Sequence, residues 1–250
     1  MQQFSDGLHV AGLKVSRGND FSLALEELRV TRGRLFALIG PSGVGKSTLL
    51  RAVAGLLPID AGLVRIAELG DLPEGELDSE ALCGWRRKVH VVGQGQALLP
   101  YLTMRANILA LARDYGMSPD DPAFNERIAE IAGRFDIGAL MHRYPAELSG
   151  GQYARALLAR SLIYRPHALL MDEVSASIDP PLAFEILTRA KEDVRASNCL
   201  SIFVTHYVGL ASKVADGIIF LSSPTTANIY TPEAFIETDD PAVERFLLRR

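Results

Sequence analysis

Gly40-Pro41-Ser42-Gly43-Val44-Gly45-Lys46-Ser47-Thr48 lies between a compact apolar run, Leu35-Phe36-Ala37-Leu38-Ile39, and the helix-like stretch Leu49-Leu50-Arg51-Ala52-Val53-Ala54. Strand, glycine-rich loop, then helix is the context in which the spacing G-x-x-x-x-G-K-[ST] acquires meaning. Gly40, Gly43 and Gly45 allow positive φ and close approach, so backbone N–H groups can wrap a polyphosphate. The helix that follows aims its N-terminal N–H groups and the positive end of its dipole at the same anion. In that geometry Lys46 reaches the β- and γ-phosphates, and the Ser47 hydroxyl is a ligand for Mg²⁺. A plain glycine-rich turn is the alternative for the loop taken alone.

Working outward, the 250-residue chain is long enough for one large core with a modest inserted subdomain. A formal charge of −4 gives no electrostatic footprint for nucleic acid. Cys83 and Cys199 are far apart and form neither a CxxC nor a metal-ligand spacing, which fits a reducing compartment. The opening residues lack a basic region followed by an apolar one, so no signal peptide is expected. No apolar run approaches the ~20 residues of a membrane-spanning helix. Any membrane function is therefore expected to come through a partner chain.

Upstream of the loop, Leu8-His9-Val10 and Phe21-Ser22-Leu23-Ala24-Leu25 read as short strands around a turn cluster, Ser16-Arg17-Gly18-Asn19-Asp20. Leu63-Val64-Arg65-Ile66 reads as another strand, and the acidic stretch from Glu74 to Glu80 as a solvated loop or short helix. Val89-His90-Val91-Val92 is a strand after the basic triplet Arg86-Arg87-Lys88. From Met104 to Tyr164 the spacing turns helical, with Ile108, Leu109, Leu111, Ala112 and Tyr115, then Ile128, Ile131, Ala132 and Phe135. Strand character returns at 168–171, 200–204 and 217–221, with a helix from Leu182 to Ala196 between the first two. That alternation predicts an α/β core with a parallel sheet.

Ala168-Leu169-Leu170-Met171-Asp172-Glu173 is an apolar strand that ends in two carboxylates. At the carboxyl end of a strand both can border one site. Asp172 is then suited to hold Mg²⁺ through its water shell, and Glu173 to polarise an attacking water. An exposed strand end would carry the same residues. Between this strand and the phosphate loop comes Leu148-Ser149-Gly150-Gly151-Gln152. Ser149 reads as an N-cap, and the two glycines open a second anion-ready helix start. One nucleotide needs one such cradle, so the second wants an explanation.

With these strings in place, the chain resembles the ATP-binding-cassette ATPases over nearly its whole length. Gly40 to Thr48 matches the family's Walker A motif, Leu148 to Gln152 its LSGGQ signature and Leu169 to Glu173 its Walker B motif. Gln94 falls at the Q-loop glutamine, Ala176-Ser177-Ile178-Asp179 resembles the D-loop, and His206 resembles the switch histidine. The resemblance implies a P-loop NTPase (RecA-like) α/β core with a parallel sheet, an antiparallel β subdomain at about 1–35 and 60–70, and an inserted α-helical subdomain at about 95–165, within one domain spanning 1–250. It further implies ATP and Mg²⁺ as cofactors and a head-to-tail dimer. Each ATP would lie between Gly40–Thr48 of one copy and Ser149, Gly150, Gly151 and Gln152 of the other, with Asp179 acting across the interface. Glu173, His206, Gln94 and Lys46 are the implied catalytic groups, and Ser47, Gln94 and Asp172 the implied Mg²⁺ ligands.

Three departures stand out. Val174 follows Glu173 where the family usually has proline, and Gly93 precedes Gln94 where an aromatic or hydrophobic residue is common. No tyrosine is placed to stack on adenine; Phe21 is the nearby candidate, with a core role as its alternative.

The implied setting is the cytoplasmic face of the plasma membrane, beneath permease subunits, with Leu98, Leu99 and Tyr101 either touching them or packing within the insertion. Gln94-Gly95-Gln96-Ala97-Leu98 and the ending 239–247 are similar to ATPases of phospholipid transporters that work with mammalian-cell-entry-type lipid-binding proteins. Similar endings occur in small-solute importers, and 21–39 also resembles lipoprotein-release and macrolide-efflux ATPases. A soluble, non-transport cassette ATPase such as an assembly factor is the alternative class.

Overall fold

A computed structural model of the chain describes residues 6–17, 21–93, 97–174 and 178–248, with Arg17 and Phe21 described by backbone alone. Strand β1 (Leu8–Arg17) turns Leu8, Val10, Leu13 and Val15 inward. The step from Val10 to Leu13 breaks strict alternation because the pairing with β4 shifts register between Ala11 and Lys14, around Gly12 at φ 57°. Strands β2 (Phe21–Val30), β1, β4 (Ala61–Ile66) and β5 (Gly70–Asp71) form one antiparallel sheet in the order β2-β1-β4-β5.

The second sheet has the order β10-β9-β3-β8-β7-β6. It comprises β3 (Leu35–Ile39), β6 (Val89–Gly93), β7 (Ala168–Asp172), β8 (Leu200–Val204), β9 (Gly217–Ser223) and β10 (Thr226–Tyr230). All pairs are parallel except β9 with β10. Every residue of β3, β7 and β8 is buried, as expected for strands covered on both faces. Their alternation divides the core in two. Leu35, Ala37, Ile39, Leu169, Met171 and Phe203 face one apolar cluster, whereas Phe36, Leu38, Leu170, Ile202 and Val204 face the other.

Helices α1 (Lys46–Val53) and α2 (Glu80–Arg86) lie with the antiparallel sheet on the second cluster. Helices α3 (Met104–Ala112), α4 (Pro122–Arg134), α5 (Gly150–Ile163), α6 (Pro180–Ala196) and α7 (Val208–Val214) fill the first, together with α8 (Pro232–Glu237) and α9 (Pro241–Leu247). Thr103, Asp121, Ser149, Asp179, Thr231 and Asp240 cap the starts of α3, α4, α5, α6, α8 and α9 with side-chain oxygens. A buried ion network ties α4 to α6. Arg127 Nη2 donates to both Asp193 carboxylate oxygens at 3.1 Å, and Arg134 Nη1 donates to Oδ1 at 2.9 Å.

Several elements differ from the sequence expectation. β1 and β2 run to ten residues each, so Ser16 and Arg17 belong to strand rather than turn. Helix α6 begins at Pro180 rather than Leu182, because Asp179 accepts from Leu182 N and a proline fits the first helical turn. β10 had no legible pattern, since its five residues are exposed or half-buried. Gly93 has a steric cause: at φ 129° a Cβ there would lie 2.0 Å from the Asp172 carbonyl oxygen, so no side chain fits. Val174, in place of the usual proline, packs half-buried against the first cluster.

Candidate functional site

The carboxyl ends of β3, β7 and β8 meet along one edge of the parallel sheet, and the sequence places Gly40, Asp172 and Thr205 immediately at or beyond them. Gly40 leaves β3 at φ 156°, where a Cβ would lie 2.2 Å from the Leu221 carbonyl oxygen. Gly43 and Gly45 have φ of 76° and 113°, and Gly45 serves as the left-handed N-cap of α1. Pro41, Ser42 and Gly43 are exposed at the crest, while Val44, Lys46 and Thr48 are buried beneath it. Lys46 is only 6% exposed, and its Nζ donates to the carbonyls of Gly40 and Pro41 at 3.0 and 2.8 Å.

Below the loop, the Ser47 hydroxyl donates to Asp172 Oδ1 at 2.8 Å. Asp172 is 1% exposed, and its Oδ2 accepts no hydrogen bond. The Arg51 guanidinium lies 3.7 Å from that oxygen, an ion-pair distance too long for a hydrogen bond. Buried carboxylate oxygens are ordinarily satisfied, so one left bare beside a hydroxyl has the character of a hard-cation site. The oxygen donor set suits Mg²⁺, which Ser47 and Asp172 would hold. Arg51 was not among the residues read from sequence. Its place one helical turn after Ser47, at i+4, is the signal that could have found it.

Glu173 follows at φ 58°, a left-handed conformation that a non-glycine residue adopts at a cost of order 1 kcal/mol. The strain sits at the strand end, where the chain turns sharply. Glu173 Oε1 meets His206 Nε2 at 2.6 Å, just beyond the paired carboxyl ends of β7 and β8. Both line a cavity of about 280 Å³ with Ile178, Pro180, Thr205 and Tyr207. The structure thus brings together Lys46 and Ser47, Asp172 and Glu173, and His206, from three separate stretches of sequence.

The remaining expected residues lie elsewhere or beyond what is described. Ser149 and Gln152 form a reciprocal capping box at the start of α5: Ser149 Oγ accepts from Gln152 N at 3.3 Å, and Gln152 Oε1 accepts from Ser149 N at 3.0 Å. Ser149 and Gly150 are exposed, and Gly151 packs so close to Leu182 of α6 that a Cβ would meet Leu182 Cδ2 at 2.3 Å. Asp179 is exposed and caps α6 in its own chain. Gln94 lies outside the described residues, as do Ala176 and Ser177; Phe21 opens β2, but its side chain lies outside them as well. Of the groups expected at a partner surface, Leu98 is buried, whereas Leu99 and Tyr101 are exposed.

Residues 25–176 match the family model described as ABC transporter. The chain belongs to the ABC transporter family. It is 36% identical over 217 residues to the thiamine import ATP-binding protein of a Ruegeria species, covering 84% of this chain and 87% of that one. It is 35% identical over 222 residues to the sn-glycerol-3-phosphate import ATP-binding protein of Cereibacter sphaeroides, covering 89% of this chain but 59% of the relative. The chain therefore spans about three-fifths of the length of that relative. Among solved structures, a nucleotide-free ATP-binding cassette from an ABC transporter has the same fold, with a TM-score of 0.79 at 22% identity over 97% of this chain and 98% of the other. Among the described residues, no helix is long and apolar enough to cross a membrane.

Proposed function

We propose that the chain is the ATP-hydrolysing subunit of an ABC import system and works as a pair beneath membrane-spanning permease subunits. The observation that carries this reading is the joined Ser47–Asp172 pair under the glycine loop, with a buried carboxylate oxygen left without a donor. Bound Mg²⁺ would neutralise charge on the phosphates. The chain's own groups do the rest. Backbone N–H groups from Gly40 to Thr48 cradle the phosphates, and Lys46 turns from the Gly40 and Pro41 carbonyls to phosphate oxygens. Glu173 accepts a proton from the attacking water, and His206, now its hydrogen-bond partner, turns to the γ-phosphate. We assign Gln94 as a further ligand on the resemblance of the sequence alone. Phosphoryl transfer asks chiefly for positioning and charge stabilisation, which these groups supply.

The start of α5, with Ser149 and Gly150 exposed and Gly151 half-buried beside them, supports the two-copy arrangement, in which it faces the loop of a partner and Asp179 lies at the same interface. Membrane association would come through the permease, at a surface that includes Leu99 and Tyr101. The relatives' names carry thiamine and sn-glycerol 3-phosphate, small polar solutes. Those names lend no support to a phospholipid cargo. They differ in cargo while sharing this motor, so we assign cargo choice to the partner subunits. The experiment is Glu173→Gln, which keeps the His206 hydrogen bond but removes the proton acceptor. ATP turnover should fall by about a hundredfold or more, with nucleotide binding retained and an ATP-dependent dimer accumulating. Hydrolysis at the wild-type rate would overturn the assignment.

A further inference from the structure

A cavity of about 480 Å³ lies beside the phosphate loop, between its crest and helix α9. Its lining includes Pro41 and Ser42 of the loop, Phe220 and Ser222 of β9, and Arg245 and Phe246 of α9, with no aspartate or glutamate. The helix is firmly seated. Val243 and Phe246 are buried, the Phe246 ring lies 5.3 Å from that of Phe220, and the Tyr230 hydroxyl donates to Asp240 Oδ2 at 2.8 Å. Arg245 is exposed on this mount and lines the cavity. Its Nε donates to the Pro241 carbonyl at 2.9 Å, one helical turn back, and among the described residues its guanidinium has no ion pair. Asp240, at the other end of the helix, is committed to the Ala242 N–H and the Tyr230 hydroxyl. A guanidinium has five N–H donors, and among the described residues this one spends a single donor within its own chain.

The packing sets Arg245 apart from a nucleotide bound to its own copy. Phe220 and Phe246 belong to the first apolar cluster, whereas Val44 beneath the loop and Leu49 of α1 belong to the second. The cavity and α1 therefore flank the loop from opposite sides, and α1 carries the Lys46, Ser47 and N-terminal N–H groups that a phosphate would meet. Pro41 and Ser42, exposed at the crest, are where a second copy would approach in the arrangement proposed above. That copy would bring the start of α5, and with it an acid. A Cβ on Gly151 would meet Leu182 Cδ2 at 2.3 Å, so the starts of α5 and α6 are side by side, and Asp179 caps the Leu182 N–H. Asp179 is exposed, has no ion pair among the described residues, and uses Oδ1 alone in that cap. Glu147, the acid just before α5, is tied through Oε2 to the Tyr144 N–H at 2.6 Å. We propose that Arg245 is a contact between copies: its guanidinium pairs with Asp179 of the second copy, so that α9 secures the crest of the loop at the interface. Two-fold symmetry would make the contact twice. The pairing rests on the two-copy arrangement, and the test separates the two.

The test uses the full chain carrying Glu173→Gln, in which ATP is expected to hold the dimer, with the dimer constant read by sedimentation. Adding Arg245→Gln should weaken ATP-dependent dimerisation about tenfold, since a loss of about threefold in each of two equivalent contacts compounds. Asp179→Asn, which keeps a capping oxygen for α6, should weaken it about as much, and the two together no further. Additive losses, or a dimer unmoved by Arg245→Gln, would overturn the pairing. ADP affinity of Arg245→Gln, by calorimetry, should be unchanged; a marked fall would place Arg245 on the nucleotide of its own copy and overturn the pairing as well. A chemical arm reads the contact directly. In Arg245→Lys, a carbodiimide can join the amine to a carboxylate as an amide, the reagent taking up the water. An ATP-dependent covalent dimer linked from position 245 to Asp179 is expected by mass spectrometry. Links only to Asp240 or Glu244, or none, overturn the pairing. No dimer with ATP in Glu173→Gln alone would overturn the two-copy reading itself, whereas a firm dimer indifferent to Arg245 overturns this contact and leaves that reading standing.

Discussion

Replacing Asp193 by alanine should destabilise the chain out of proportion to its distance from the phosphate loop. Asp193 is 3% exposed and accepts from two guanidinium groups of α4 through three contacts of 2.9 to 3.1 Å. Its two partners differ. The Arg134 side chain, 26% exposed and still bonded to Glu130, can recover water, so its loss is small. The Arg127 side chain, 10% exposed, cannot, and its Nε already lacks a partner, so no spare acceptor is at hand. Removing one member of a buried pair costs about 3–5 kcal/mol, most of it from the charge left behind. Because Arg127 retains Glu130 and the Leu162 carbonyl, the lower half of that range, about 3–4 kcal/mol, is expected. For a chain of this length that corresponds to a fall in Tm of about 6–8 °C by scanning calorimetry. The double replacement Arg127→Met with Asp193→Leu, which removes both charges, should recover most of the loss. A single-variant loss below about 1 kcal/mol would refute the reasoning and show that the α4–α6 contact is held by packing alone.

Two further outcomes follow from single residues. His90 titrates near 4 when folded and near 6.5 when unfolded, so the unfolded chain binds more protons between those values; stability from this group is complete above pH 6.5 and declines toward pH 4 by up to about 3 kcal/mol. Denaturant titrations of His90→Gln should show a flatter pH dependence over that window, and an unchanged slope would count against it. Gly93→Ala forces a Cβ within 2.0 Å of the Asp172 carbonyl oxygen, so it should cost about 2 kcal/mol or more and impair Mg²⁺-dependent nucleotide binding measured by calorimetry, whereas intact binding would mean that the β6–β7 edge yields.

The sequence was most legible where local chemistry dictates one geometry. The glycines of the phosphate loop, the apolar run into Asp172 and Glu173, and the capping string Ser149 to Gln152 each carry their conformation in their own residues. Arg127 and Asp193 carried no such mark. Their roles depend on which helix faces which, and a charged residue in a helical stretch reads as solvated until its neighbours are known. The same reasoning explains β10, whose exposed residues leave no periodicity to read. It also explains Gly93, where the demand for glycine comes from a carbonyl on a strand nearly eighty residues away in sequence.

Lys46 rests on the carbonyls of Gly40 and Pro41, and Ser149 and Gln152 close a ring on each other. Both cradles are furnished in advance by stand-ins from the chain itself. On the proposed function, an arriving phosphate would trade places with these groups instead of filling bare sockets. Such a trade leaves the tally of hydrogen bonds nearly level, so its direction is decided by charge and by which nucleotide is present. A grip of that kind reverses readily at each turn of a cycle, whereas a socket built for permanent occupancy would have to be emptied against its full strength.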